Sequence, residues 1–145
     1  MKAVLQRVTE AAVDVEGERV GSIDDGLLIL LGVEEGDTDE QADALAAKVA
    51  KLRLFRSESK PIDRSLLDTG FAALVVWQFT LCADTRKGNR PSFIRAAEPA
   101  EAERLYERFN ARLREAGVPV ETGRFGAMMD VSLHNDGPVT LILET

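Results

Sequence analysis

The chain is short of the residues that usually carry catalysis: among 145 residues it has one Cys, one His, one Tyr and one Trp. One Cys excludes an internal disulfide framework, and Cys plus His supply too few soft ligands for a structural or catalytic zinc. Long apolar runs are missing as well. The longest, Gly26 to Val33 (GLLILLGV), falls far short of the roughly 20 residues a membrane helix needs. Gln6 and Arg7 interrupt any N-terminal export core, so a cytoplasmic location away from membranes is expected. There is no Walker loop, and Gly32-Val33-Glu34-Glu35-Gly36, the nearest approach to a dinucleotide fingerprint, lacks its third glycine. Basic charge is also in deficit. The 18 Lys and Arg stand against 25 Asp and Glu, a net charge of −7, which argues against a general nucleic-acid coat protein whose affinity comes from neutralising phosphates.

What is present suits one domain spanning residues 1–145, long enough to bury roughly 70% of its unfolded surface. At 45% hydrophobic, the composition is too apolar for a disordered chain. From Ala3 to Val20 apolar and polar residues roughly alternate, and Glu16-Gly17-Glu18 supplies a tight turn between two strands. GLLILLGV, bounded by Asp24-Asp25 and by Glu34 to Asp37, reads as a strand buried on both faces. Thr38 and Gln41 form a capping box ahead of Ala42, Leu45, Ala46, Val49 and Leu52 at helical spacing. Phe71 to Phe79 (FAALVVWQF) reads as a second central strand. A second helix begins near Pro99 and runs through Leu105, Phe109 and Leu113 to a stop at Gly117. Ala127 to Leu133 and Val139 to Leu143 read as strands joined by His134-Asn135-Asp136-Gly137-Pro138. The result is a strand-rich α+β domain with two main helices. A sheet with more face than two helices can cover points to a second subunit.

Three segments invite a chemical reading. Cys82 and His134 are a nominal nucleophile and base, but Cys82 ends an apolar stretch, where a lone Cys behaves as a small buried hydrophobe. Asp84 to Arg95 (DTRKGNRPSFIR) carries four bases and one acid, whereas Glu34 to Asp43 carries six acids and no base. This basic loop, with Phe93 among its charges, can meet phosphates or an RNA end, or can simply be a solvated loop. Asn135-Asp136-Gly137-Pro138 has the spelling of a hairpin turn. Pro138, however, removes a backbone donor where the next strand should start to pair, and an X-Pro bond can be cis. The residues alone leave turn and site both open.

Taken together, these pieces resemble the D-aminoacyl-tRNA deacylase (D-tyrosyl-tRNA deacylase) family of bacteria and eukaryotes. The matching motifs are Met1-Lys2-Ala3-Val4-Leu5-Gln6-Arg7-Val8, GLLILLGV, Gln78-Phe79-Thr80-Leu81, Arg90-Pro91-Ser92-Phe93, Thr122-Gly123-Arg124-Phe125-Gly126-Ala127 and Asn135-Asp136-Gly137-Pro138-Val139-Thr140. They run in order through nearly the whole chain. The resemblance implies a mixed or antiparallel sheet closing as a barrel-like core, in a homodimer without metal or other cofactor. It implies hydrolysis of the ester between a D-amino acid, or glycine, and the 3′-terminal ribose at the tRNA acceptor end. Gln78, Phe79 and Thr80 would be the catalytic segment. Gly137 and Pro138 would be a Gly-cisPro pair reaching into the partner subunit's site, with Arg7 bracing their carbonyls and Asn135 beside them. One position departs from the family: Trp77 stands where a Ser usually precedes Gln-Phe-Thr-Leu. The alternative implied by that change is a non-catalytic tRNA-binding relative with its pocket altered by Trp77.

Overall fold

The computed structural model describes Met1–Thr145 and contains six strands and three helices. The strands are β1 (Lys2–Val15), β2 (Glu18–Ile23), β3 (Gly26–Gly32), β4 (Ala72–Trp77), β5 (Val120–Thr122) and β6 (Asp130–Glu144). The helices are α1 (Asp39–Lys51), the four-residue α2 (Leu66–Thr69) and α3 (Pro99–Glu115). No helix is long and apolar enough to cross a membrane.

β1 organises the sheet. Its first half pairs antiparallel with β3, from Lys2 opposite Gly32 to Val8 opposite Gly26. Its second half pairs antiparallel with β2, from Ala11 opposite Ile23 to Val15 opposite Glu18. β6 runs along the other edge of nearly all of β1. β4 joins β3 and β5 joins β4, both in parallel, giving a mixed sheet in the order β2-β1-β3-β4-β5. β2 comes back alongside β4 and β5, so the sheet nearly closes on itself as a barrel.

The sheet has apolar packing on both faces, which is why β3 and β4 have little polar content. Leu27, Ile29, Leu31, Ala73 and Val75 face outward against Leu45 and Val49 of α1 and Leu105, Phe109 and Leu113 of α3. Val8, Val13, Leu28, Leu74 and Val76 form the smaller interior cluster. The capping box at α1 is in place, with Gln41 N donating to Thr38 Oγ1 and Thr38 N donating to Gln41 Oε1 at 2.8 Å. α1 and α3 are clasped by Arg108 and Arg112 on the Asp43 carboxylate, whose pKa these hydrogen bonds lower to about 2.

Three expectations change. The strand read as reaching Phe79 stops at Trp77, because Phe79–Cys82 coils into a 3-10 turn. Gly32 makes room for that turn: a Cβ there would lie 3.1 Å from both the Gln78 carbonyl oxygen and Leu81 Cβ. The residues from 130 onward are not two strands paired through a hairpin turn. They are one strand, β6, and both of its halves pair with β1. Gln6 lies opposite Thr140 and Val8 opposite Asn135, so Asp136 to Val139 bulge out of the ladder. A third, very short helix, α2, adds to the two expected. Ser65 caps α2 and Asp68 returns the bond to the Ser65 amide.

Candidate functional site

The bulge in β6 is built around a buried arginine. Arg7 is 3% exposed. Its Nε donates to the Asp136 carbonyl at 3.0 Å, and its Nη1 donates to the carbonyls of Leu54 at 2.8 Å and Pro61 at 2.9 Å. The Asp136 carboxylate adds an ion pair 3.2 Å from Nε, and Arg56 binds the same carboxylate from the solvent side. Burial pulls the Arg7 pKa down, the Asp136 charge opposes that, and the guanidinium stays protonated. Hydrogen bonding from Arg56, with the nearby charge of Arg7, holds the Asp136 carboxyl below its usual range. A depressed carboxyl pKa stabilises the fold above the unfolded value of about 3.9, and that contribution is lost as pH falls through the lower folded value.

Asn135 secures the other side of the bulge, its Nδ2 donating to the carbonyls of Arg7 at 2.9 Å and Val139 at 3.1 Å. Between Asp136 and Val139, Gly137 and Pro138 are exposed and joined by a cis peptide bond. The expected contact from Arg7 to the carbonyls of this pair is displaced by one residue: the bond runs to Asp136. At Gly137 a Cβ would lie 2.6 Å from Asn135 Oδ1. A side chain there therefore has to push aside the amide that secures the bulge.

Gln78, Phe79 and Thr80 lie beside the start of β1. Trp77 is in register with Leu31, and Leu31 with Ala3. The Gln78 amide donates to the Leu31 carbonyl at 2.8 Å. Gln78 Nε2 donates to Thr80 Oγ1. A carboxamide cannot accept the hydroxyl proton through that nitrogen, so Thr80 is given no base. Phe79 and Thr80 open the 3-10 turn, and the first amides of such a turn have no acceptor within it.

An aromatic row crosses this region. Phe93 meets Phe79 edge-on at 5.2 Å, Phe79 lies 5.4 Å from Trp77, and Trp77 stacks on Phe125 at 4.0 Å. Tyr106 follows at 5.9 Å and donates its hydroxyl to the Val75 carbonyl at 2.8 Å. Trp77 thus packs against the main core and is part of a wall behind Phe79.

One chain does not bring the two groups together. Arg7 and Ala3 are four residues apart on β1, about 13 Å along the strand at 3.3 Å per residue. The bulge and the 3-10 turn also lie on opposite sides of β1, since β6 borders one edge and β3 the other. Nor does the fold assemble the Cys82 and His134 pair. Cys82 is buried with Sγ 3.5 Å from the Val33 carbonyl, and burial raises its thiol pKa. His134 sits opposite Glu10, its Nδ1 3.0 Å from Oε1, beside a surface depression of about 270 Å³ that none of the seven candidate residues lines.

Comparison with known proteins decides the family. The family model for D-Tyr-tRNA(Tyr) deacylase matches residues 4–144. The chain belongs to this family. It is 57% identical over 145 residues to the D-aminoacyl-tRNA deacylase of Cereibacter sphaeroides, covering 100% of both chains. It is 59% identical to the D-aminoacyl-tRNA deacylase of Thermus aquaticus, over 100% of this chain and 95% of the relative. Among solved structures, the c-Myc DNA Unwinding Element Binding Protein superposes with a TM-score of 0.94 at 41% identity, covering 100% of this chain and 99% of the other. A probable eukaryotic D-amino acid tRNA deacylase shares the fold with a TM-score of 0.81 at 19% identity, over 98% and 97% of the two chains. The chain is thus an enzyme of the deacylase kind.

Several residues that shape the candidate site are not marked in the sequence. Leu54 and Pro61 contribute only carbonyls to Arg7, and a carbonyl leaves no trace in residue type. Asp136 lies inside the Asn-Asp-Gly-Pro motif, but its pairing with the buried Arg7 is a contact between distant segments that leaves no mark in residue type. Phe125 lay inside Thr-Gly-Arg-Phe-Gly-Ala but was given no role.

Proposed function

We propose that the chain hydrolyses the ester between a D-amino acid and the 3′-terminal ribose of tRNA, releasing the D-amino acid and free tRNA. The observation that carries this reading is the Arg7-held bulge, which presents Gly137 and Pro138 at the surface on a backbone held by Arg7 at the Asp136 carbonyl and by Asn135 at the Val139 carbonyl. D and L enantiomers share one side chain, so a side-chain pocket cannot sort them across many amino acids. A rigid backbone wall at the α-carbon can, since one enantiomer meets it with hydrogen and the other with its side chain. That is selection by exclusion. Glycine has no side chain to exclude and is the expected second substrate.

The catalytic half is the 3-10 turn. The Phe79 and Thr80 amides are the donors proposed for the oxyanion that forms as water attacks the ester carbonyl. Thr80, lacking a base, positions substrate and does not attack it. Gln78 holds the Thr80 hydroxyl, and Phe79 flanks the ester. The ribose 2′-hydroxyl is left to assist the departure of its neighbour.

The separation of the two halves in one chain supports a homodimer in which Gly137 and Pro138 of one subunit complete the turn of the other. The outer edge of β6 supports the same arrangement, because it pairs with no strand of its own chain, and Ile142 on a face of β6 is 70% exposed. A cytoplasmic enzyme is the matching expectation.

Ester loss from D-tyrosyl-tRNA on incubation with the purified chain tests the reading. Tight tRNA binding without turnover would instead favour the non-catalytic relative. Subunit mixing tests the dimer: a chain carrying Arg7→Lys and a chain altered at Phe79, each strongly impaired alone, should regain activity when co-refolded. No recovery from a verified mixed dimer would contradict a shared site.

A further inference from the structure

The family reading leaves one question open: how a chain of net charge −7 holds a polyanion. Most of its arginines are already committed. Arg104, Arg108 and Arg112 on α3 are tied to Asp39, Asp43, Glu101 and Glu115. Arg19 binds Asp14, Arg53 binds Asp63, and Arg7 with Arg56 share Asp136. A guanidinium already neutralised by a carboxylate releases little on meeting a phosphate.

Lys48, Lys51, Lys60 and Arg124 also lack an acid partner, but the segment from Asp84 to Ser92 places two such cations on one closed loop. Reciprocal backbone bonds close it into a loop, Asp84 N donating to the Ser92 carbonyl at 2.7 Å and Ser92 N to the Asp84 carbonyl at 2.9 Å. Inside, the Asp84 carboxylate binds Arg86 through its backbone amide at 3.0 Å and its guanidinium at 2.6 Å. Those bonds hold the Asp84 carboxyl far below its usual range. Arg86 and Asp84 therefore neutralise each other and brace the base of the loop. Gly88 turns the tip at φ +66°. That leaves Lys87 and Arg90 at the tip, exposed and with no acid partner, in a stretch from Thr85 to Pro91 that contains no other acid. Arg95, just past the loop, reaches Glu34 at 3.5 Å.

The loop is also anchored to the candidate site. Phe93, one residue beyond the closing bond, meets Phe79 edge-on at 5.2 Å. The tip cations are thereby held at a fixed offset from the segment proposed to bind the aminoacyl ester.

Resting on the deacylase reading, we infer that Lys87 and Arg90 are the phosphate clamp for the tRNA acceptor strand, and that Arg86 is its structural brace. The clamp explains how an acidic protein binds tRNA: two free cations on a rigid loop supply local attraction, while the acidic remainder keeps release fast. The ligand chemistry is a phosphodiester backbone, read without regard to base.

The test compares wild-type protein with the Lys87→Gln/Arg90→Gln variant on D-tyrosyl-tRNA and on D-tyrosyl-adenosine, which carries the same ester and no phosphate. The variant should lose at least about tenfold in kcat/KM on tRNA, mostly through KM. Its log-log salt slope should be shallower by roughly 1.4–1.8, the value for two phosphate contacts. Rates on the adenosine ester should be unchanged. A charge-matched variant elsewhere, Arg19→Gln/Lys48→Gln, should keep the wild-type salt slope. Equal losses on both substrates, an unchanged slope in the loop variant, or the same slope change in the charge-matched variant would each overturn the clamp. Should wild-type protein cleave neither substrate, the deacylase reading fails. The clamp is then judged by binding of uncharged tRNA, which the loop variant must still weaken with the same change in slope.

Discussion

Arg7→Lys is expected to lower kcat/KM on D-aminoacyl-tRNA by on the order of 100-fold while leaving the protein folded. The guanidinium spans carbonyls on three separate segments, Asp136, Leu54 and Pro61, all within 3.0 Å of its nitrogens. An ammonium on a flexible stem is a point charge without that planar fork and cannot hold the same three acceptors. The bulge then loses its register, and a misplacement near 1 Å, even from a change away from the reacting atoms, costs on the order of 100-fold. Steady-state kinetics, with circular dichroism to confirm folding, measure the effect. A variant within threefold of wild type would show that the bulge does not need its brace.

Gly137→Ala is the second large effect, and it is expected on selectivity before stability. The added Cβ meets Asn135 Oδ1 at 2.6 Å, and the same carboxamide bonds the Arg7 and Val139 carbonyls. Moving it loosens the wall while leaving the core clusters untouched, since Gly137 is exposed. The ratio of D to L hydrolysis should fall at least about tenfold, equivalent to about 1.4 kcal/mol. The midpoint of denaturant unfolding should move little. Unchanged selectivity in a folded variant would remove Gly137 from the proposed mechanism.

These two residues also mark how far the sequence could be read. GLLILLGV is legible as a central strand because burial on both faces leaves no polar alternation. Thr38 with Gln41 and Pro99 are legible because caps and first-turn prolines act locally. The bulge at Asp136 to Val139 was ambiguous because Asn-Asp-Gly tolerates a turn as readily as a loop. Pairing of both β6 halves with one long partner resolves it, and that pairing is non-local. The stop at Trp77 follows from the 3-10 turn packing over Gly32, again a contact between distant segments. β5 is only three residues long and is defined by its parallel neighbour β4. α2 is the exception. Its Ser65 to Asp68 capping box is written in the sequence, but four residues are too few to show a helical period.

The position of Trp77 has a similar lesson. Residue type alone permits an indole that blocks the pocket or one that packs inward. The 4.0 Å stack on Phe125 and the contact with the main core select the inward packing. The wall it forms behind Phe79 is continuous with Phe93 and so with the basic loop, linking the turn proposed to bind the ester to the cations at the tip.

The most direct test of the proposed function is a comparison of hydrolysis rates on one tRNA charged in turn with D-tyrosine and L-tyrosine. A backbone wall that excludes by chirality predicts D-ester cleavage at least about 100-fold faster, a difference of roughly 2.7 kcal/mol. Equal rates on the two enantiomers, or no loss of the D-ester, would contradict it.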